Sequence, residues 1–376
     1  MKRKIVLLPA AVFSVFIFIF AVMFIITPKA DYSSSEKRYL EDFPETSLSS
    51  VTNGEFEKGF ESYLADHFPL RNMWVGLNAY CNYCIGNNGC DGVYKCSDGW
   101  LINKPITTDN RIKTNTDTII KFSKSAGVPV TMMTAPSTGY IMADKLPAVH
   151  DEYIDDYVFG DIKKSLKKEG IGFVDLRQKF KNSTEQLYYK TDHHWTSEGA
   201  YEAYEEVCRA LGVKAADRDF YDIKTYPDFY GTTYSTSGFW LTKPDEIAVW
   251  HNKNHKPGDI KLTITEGSEN KAYDTLFFDN HLKEDDKYPV FIDGNHALET
   301  ITNKNVRKGR LLVIKDSFAH TLAPFLADSF RKVTLVDVRY YKNSVTDLVK
   351  QGKYDRVLVM YGIDNFATDT DLAWLK

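Results

Sequence analysis

A chain of 376 residues, 43% hydrophobic and 14% aromatic, can bury one large core or two moderate ones. Its formal net charge is −4 with both signs dispersed. The absence of a basic stripe or a recognisable nucleic-acid module argues against nucleic-acid binding and leaves small molecules or glycans as partners.

The amino terminus is an appendage to this globular composition. Lys2, Arg3 and Lys4 precede an apolar run from Ile5 to Ile26, broken only by Pro9 and Ser14. At helical rise the run covers roughly 33 Å, about one hydrocarbon core. "TPKAD" puts Pro28 and Lys29 where a cleavage site needs small residues, so residues 1–28 read as an uncleaved signal-anchor rather than a removable signal peptide. With the cationic flank cytoplasmic, the expectation is a single-pass cell-membrane protein whose remainder lies outside, at the cell surface or in the periplasm.

Residues 29–50, containing "KADYSSSEKR", read as a polar tether. Residues 51–107 read as an extension packed on the main domain. Phe56, Phe60, Tyr63, Leu64 and Phe68 have helical spacing up to Pro69, and "GVYKCSDGWLI" alternates around Ser97-Asp98-Gly99 as a hairpin does. Between them Cys81, Cys84, Cys90 and Cys96 are spaced C-x2-C-x5-C-x5-C. That spacing suits tetrahedral zinc, whereas an extracellular location favours one or two local disulfides of undetermined pairing; free thiols are the third reading. Cys208, alone in a helical pattern, reads as a small buried hydrophobe.

From 108 to 376 the pattern is that of an α/β domain. A helix over 108–126, the strand "VPVTMMTAP", a helix over 151–169 and the strand "IGFVDLR" come first. The alternation lapses over about 213–307, read as a β-rich insertion of turns and short strands, within which His251 and His255 read as parts of a polar turn. It resumes as "RLLVIKDSF", a helix over 320–330, "KVTLVDVRYY", a helix over 343–351 and "YDRVLVMYGIDNF". Such alternation implies a mostly parallel sheet covered on both faces.

Ligands of open parallel sheets bind beyond the carboxyl ends of the strands, which selects the loops to inspect. Ser317, in "KDSF", sits at a strand-to-helix turn resembling a nucleophile elbow without G-x-S-x-G. A serine hydroxyl needs a base, and the base needs an orienting acceptor. "YKTDHHWTSEG" supplies Asp192 and His194, two residues apart and so on one side of an extended segment, with His193 facing away. Thr196 or Ser197 would cap the following helix. Trp195 reads as a packing residue or a sugar contact. Gly362 permits close backbone approach, and Asn365 offers an oxyanion donor alongside the Ser317 N–H. A zinc site on Asp192, His193 and His194 is disfavoured because successive residues diverge and H-E-x-x-H spacing is absent.

With these residues in place, "TDHHWTSEGAY", "KDSFA", "DVRYY" and "YGIDNF" resemble the DHHW proteins and the alginate O-acetylation proteins with a circularly permuted SGNH-hydrolase-like domain. "SEKRYLEDFP", "DHFPLR" and "ADKLPA" extend the resemblance upstream. It implies a flavodoxin-like three-layer sandwich in which Asp192 orients, His194 is the base and Ser317 is the acyl-accepting nucleophile. Asn365 then takes the oxyanion role, and Arg339 becomes a substrate or oxyanion contact; the competing reading of Arg339 is a simple pairing with Asp337 or another surface acid. Lys315 before Asp316 departs from the usual G-D-S, which puts an oxyanion role for the preceding residue in doubt.

The implied activity is O-acetyl transfer from a donor, through an acyl-serine, to a cell-surface polysaccharide hydroxyl. A multispanning membrane acyltransferase would supply the acetyl group. An esterase with the same triad and a non-catalytic glycan-binding protein are the alternatives; no cofactor and no metal is required.

Overall fold

The computed structural model describes residues 2–107 and 110–375, and the side chains from residue 8 onward. Residues 108 and 109, the predicted start of the first core helix, and the side chains of the cationic flank lie outside the described residues. In chain order the elements used below are helices α1 (Lys2–Ile26), α2 (Glu55–Asp66) and α3 (Arg71–Cys84), then strands β1 (Val93–Lys95) and β2 (Leu101–Asn103). α4 (Arg111–Ala126), β3 (Val130–Ala135), α5 (Asp155–Lys168), β4 (Gly172–Asp175) and α6 (Ser197–Leu211) follow. Next come β5 (Tyr221–Phe229), α7 (Thr232–Ser237), β6 (Asp245–Asn252), β7 (Ile260–Glu266), β8 (Glu269–Tyr273) and β9 (Leu298–Asn303). The chain closes with β10 (Arg310–Lys315), α8 (Ala319–Ala327), β11 (Lys332–Val336), α9 (Val345–Gly352), β12 (Arg356–Gly362) and α10 (Ile363–Thr368).

One eight-stranded sheet runs in the order β8-β7-β9-β11-β10-β12-β3-β4. The five strands from β11 to β4 are parallel neighbours, and β9, β7 and β8 add to β11 in antiparallel fashion. The part of 213–307 that contains β7, β8 and β9 therefore completes the main sheet, while β5 and β6 pair separately. "YGTTYSTSGFW", expected to be turns and short strands, contains the helix α7 instead.

The parallel strands are buried on both sides. Leu311 and Val313 of β10 pack with α6 and α8 in one core, whereas Leu312 and Ile314 pack with α4, α5 and α9 in the other. β12 divides in the same way: Leu358 and Met360 face the first core, Val357 and Val359 the second. This double burial explains why these strands read as unbroken Val/Ile/Leu runs.

α6 is bounded as its sequence dictates. The Thr196 hydroxyl accepts from the Gly199 N–H at 3.2 Å, Glu198 stands in the first turn, and Gly212 closes the helix at φ +63°. Ala203, Tyr204, Val207, Cys208 and Leu211 form its buried face. The hairpin β1–β2 turns through Ser97–Gly99, as its alternation predicts.

Two expectations near the amino terminus change. The segment read as a tether is tied down: Tyr32–Ser33 pairs with Arg38–Tyr39, and Arg38 holds Asp66 at 2.5 Å. The five cysteines are free thiols. Cys81 and Cys84 are exposed on α3, Cys90 packs with Ala79 and Phe239, and Cys96 packs in the main core beside Trp100. Cys90, just before the hairpin, and Cys96, at its turn, thus enter different apolar clusters.

Candidate functional site

Three parallel strands end side by side. The register pairs Lys315 with Met360 across β10–β12, and Gly362 with Ala135 across β12–β3. The turns after β10, β12 and β3 therefore open at one edge, the position the strand-end rule selects. Ser317 lies in the first of these turns and is half-buried.

Asp316 ties two of the turns together from beneath. Its Oδ1 accepts from the Phe318 N–H at 3.0 Å; its Oδ2 accepts from the Gly362 N–H at 2.8 Å and from Asn365 Nδ2 at 2.7 Å. Burial pushes this carboxyl up, against the pull of those hydrogen bonds. Gly362 is required sterically, since a Cβ there would lie 2.4 Å from the Phe318 ring. Its own N–H is spent on Asp316, so Gly362 belongs to the scaffold rather than to a ligand contact.

The loop 187–196 brings the histidines over Ser317. Tyr188 and Trp195 bridge its base, and the Tyr189 N–H donates to the His194 carbonyl at 3.2 Å. Asp245, at the start of β6, accepts from the N–H groups of Lys190 (3.0 Å) and Thr191 (2.7 Å) and from the Thr191 hydroxyl. Behind Asp192 stands Gly231, where a Cβ would come within 2.1 Å of the Asp192 Cβ.

Within this loop Asp192 Oδ1 lies 2.5 Å from His194 Nδ1 and accepts the His194 backbone N–H at 2.8 Å. His194 Nε2 lies 2.7 Å from Ser317 Oγ. The carboxylate fixes the tautomer: Nδ1 carries the proton and Nε2 presents its lone pair to the serine hydroxyl. Burial opposes the charge on Asp192, yet the neighbouring histidines and the hydrogen bonds from His194 hold its carboxyl well below the usual range.

His193 corrects a premise of the sequence reading. The segment bends at residues 190–194 rather than extending, so His193 does not face away: its ring lies 3.9 Å from that of His194. Its Nδ1 is 2.7 Å from Thr232 Oγ1, which is 3.2 Å from Asp192 Oδ2, and the Thr232 N–H donates to the same oxygen at 2.7 Å. Burial, with His194 adding to it, lowers His193 to about 4. As a neutral donor it supports Asp192 through the Thr232 hydroxyl. The ligand atoms of Asp192, His193 and His194 do gather within 4.8 Å of one another. Both nitrogens of His194 and Nδ1 of His193 are nevertheless already engaged by protein oxygens.

Trp195, offered as a possible sugar contact, is fully buried; its indole N–H donates to the Phe318 carbonyl at 3.0 Å. Arg339 directs its fork at Asp337, with Nε at 2.9 Å from Oδ1, and also reaches Asn295 at 3.1 Å. Among the described residues it makes no hydrogen bond to Ser317, His194 or Asp192. Lys315, the departure from G-D-S, points into the interior. Its Nζ lies 2.8 Å from His320 Nε2 and 3.6 Å from both Glu299 and Asp337. Burial, reinforced by Lys315, keeps His320 neutral, and burial raises Glu299 to about 8.

Sequence reasoning missed two supports. Tyr288 stacks on His194 at 4.2 Å and 16°, while its hydroxyl donates to the Ser317 carbonyl at 3.2 Å, so one side chain braces both His194 and Ser317. Ser137, after β3, hydrogen-bonds Asp155 and Asp364, each at 3.0 Å; burial and the second acid raise Asp364 to about 7. A lone tyrosine and two scattered acids carry no local pattern that could have singled them out.

Comparison with known proteins agrees with this architecture. Residues 93–226 match the model of the SGNH hydrolase-like domain of the acetyltransferase AlgX. The chain is 24% identical over 176 residues to the probable alginate O-acetylase AlgJ of Pseudomonas fluorescens, covering 44% of this chain and 45% of that protein. The corresponding protein of Pseudomonas aeruginosa is 21% identical over 182 residues, and the match spans 46% of it. The chain thus spans about half the length of the curated relatives it matches. In fold it is similar to a DHHW family protein from Eubacterium siraeum, with a TM-score of 0.64 and 22% identity over 76% of this chain and 95% of the other. It is also similar to Bacillus cereus PatB1 with a sulfonyl adduct, with a TM-score of 0.63 and 21% identity over 74% and 97%. The chain is thus similar over residues 93–226 to the SGNH hydrolase-like domain of the acetyltransferase AlgX, and in fold to a DHHW family protein.

Proposed function

We propose that this protein is a membrane-anchored, extracytoplasmic O-acyltransferase that moves an acetyl group through Ser317 to a hydroxyl of a cell-surface polysaccharide. The observation that carries the reading is the contact of Ser317 Oγ with His194 Nε2 at 2.7 Å while His194 Nδ1 lies on Asp192. Three residues drawn from two distant segments have no other evident reason to align in this order. The acetylase names of the matched relatives support acetyl as the group and a polysaccharide as the acceptor. α1, whose Leu8–Ile26 segment is long and apolar enough to span a bilayer, supports anchoring.

In the first half-reaction His194 Nε2 takes the hydroxyl proton as Ser317 Oγ attacks the donor carbonyl, and Asp192 stabilises the imidazolium. Collapse of the tetrahedral intermediate returns that proton to the leaving group and leaves acetyl-Ser317. A glycan hydroxyl then attacks, deprotonated by His194; the ester passes to the sugar and the proton returns to Ser317. The Ser317 N–H and the second amide hydrogen of Asn365 are the assigned oxyanion donors. A multispanning acyltransferase is the proposed source of the acetyl group.

The test is incubation of the full chain with an activated acetyl ester and candidate oligosaccharides, followed by mass spectrometry of Ser317 and the products. Acetyl on Ser317 followed by acetylated sugar is the expected result. Accumulation of acetate alone would make water the acceptor and the protein an esterase. Ser317→Ala should lose several orders of magnitude in rate with its melting temperature preserved; full activity in that variant would end the triad assignment.

A further inference from the structure

The anchor does not stand clear of the domain. Phe20 of α1 stacks on Phe68 at 5.4 Å and 7°, and packs on Trp74 at 5.9 Å. Phe24 meets Tyr63 edge-on at 6.0 Å. Phe20 lies six residues before Ile26, the outer end of the apolar segment. At helical rise that is about 9 Å inside the hydrocarbon edge. Whatever stacks on Phe20 is held at that depth.

The corner between α2 and α3 is built for such surroundings. Phe68, Leu70, Met73 and Leu77 are 40%, 53%, 51% and 50% exposed. Leu70, Met73, Trp74 and Leu77 follow i, i+3, i+4, i+7 spacing and form one apolar stripe. The opposite face of α3 is already occupied, because a Cβ on Gly76 would lie 2.7 Å from Trp240, and Ala79 is fully buried. The stripe therefore faces away from the domain, with Trp74 against α1 and Leu70, Met73 and Leu77 exposed.

The charged side chains of the corner are paired with one another. The Trp74 indole donates to the Pro69 carbonyl at 3.2 Å. Asp66 is paired with Arg38 and Arg71, and Arg71 with Glu36. A paired charge cluster beside an apolar corner, with Tyr63 packed on Phe24 near the outer end of α1, matches the order of groups across a membrane interface.

We infer that the α2–α3 corner is a second membrane element: a non-spanning wedge whose Phe68–Leu77 stripe is immersed in the acyl-chain region of the outer leaflet beside α1. This rests on the anchoring proposed above and goes beyond it. The wedge ties the domain to the bilayer at two points, so the orientation of the strand-end site relative to the membrane is set rather than left to a swivelling stalk.

The test uses the full chain with Cys81→Ser and Cys84→Ser, labelled with an environment-sensitive fluorophore at Met73→Cys, Leu77→Cys, Val15→Cys or Tyr157→Cys. Each variant is placed in phosphatidylcholine–phosphatidylglycerol vesicles with or without a nitroxide on the acyl chains. Probes at Met73 and Leu77 should shift to the blue and lose fluorescence to the nitroxide, as Val15 does, while Tyr157, on the distant α5, should respond only to aqueous iodide. Iodide quenching of Met73 and Leu77 with Val15 still quenched from the lipid would overturn the wedge and leave the anchor intact, giving the stripe to a protein partner. Lipid nitroxide without effect at Val15 as well would overturn the anchor and the wedge together.

Discussion

Asn365 spends one amide hydrogen on Asp316 Oδ2 at 2.7 Å and has a second to offer the reacting oxygen. Truncating it therefore has two separable consequences. Asn365→Ala should lower the acylation rate by about 10²-fold through the lost oxyanion donor. It should also cost about 1–3 kcal/mol in urea unfolding, because buried Asp316 loses a partner. A stability loss with an unchanged rate would reduce Asn365 to a strut. His194 and His193 differ in the same residue-level way: one faces the serine hydroxyl, while the other reaches Asp192 through Thr232. The D-x-H spacing was legible because a base and its acid are required together. The place of His193 was not, because a bend cannot be read from two adjacent histidines.

The element that makes the site is the loop 187–196, and its shape is imposed from outside. Asp245 gathers three hydrogen bonds from Lys190 and Thr191, and the start of α7 presses Gly231 against Asp192. Gly231→Ala should thus destabilise the fold by about 1–3 kcal/mol through overpacking. It should lower acyl-enzyme formation beyond what that loss explains, since the displaced atom belongs to the orienting acid. Urea titration and single-turnover acylation of the same variant separate the two effects, and a variant with normal acylation would show that Asp192 tolerates movement. The strand-to-helix turn at Ser317 was legible locally because the run of β10 stops abruptly at Asp316. The clamp was not legible: Asp245 lies more than fifty residues from the Lys190 and Thr191 it holds.

Across the whole molecule, the sheet places a buried cluster of ionisable groups behind Ser317. Lys315 reaches Glu299 of the antiparallel strand β9, and Asp337 just beyond β11. Glu299 is fully buried and, by that burial, raised from 4.5 to about 8. The folded state then holds a proton that the unfolded state releases, so the contribution of Glu299 is intact below pH about 4.5 and is lost as pH rises towards about 8. Relative to Glu299→Gln, the wild-type melting temperature should fall steadily across that window. Parallel curves for the two proteins would show that Glu299 is already ionised in the folded state.

Short-range pattern carried the apolar amino-terminal helix, the five parallel strands, the capped helix after Thr196, and the pairing of an acid with a histidine two residues on. Each depends on periodicity or on spacing within a few residues, which the chain displays directly. Long-range packing alone chose between a packed and a ligand-facing Trp195, gave Arg339 to Asp337, set Tyr288 against His194 and Ser317, and made three strands of the apparent insertion part of the main sheet. Those outcomes depend on contacts between segments tens to hundreds of residues apart. Such contacts leave no local trace, because any buried aromatic or paired charge could have served any of several partners until the sheet brought one of them within reach.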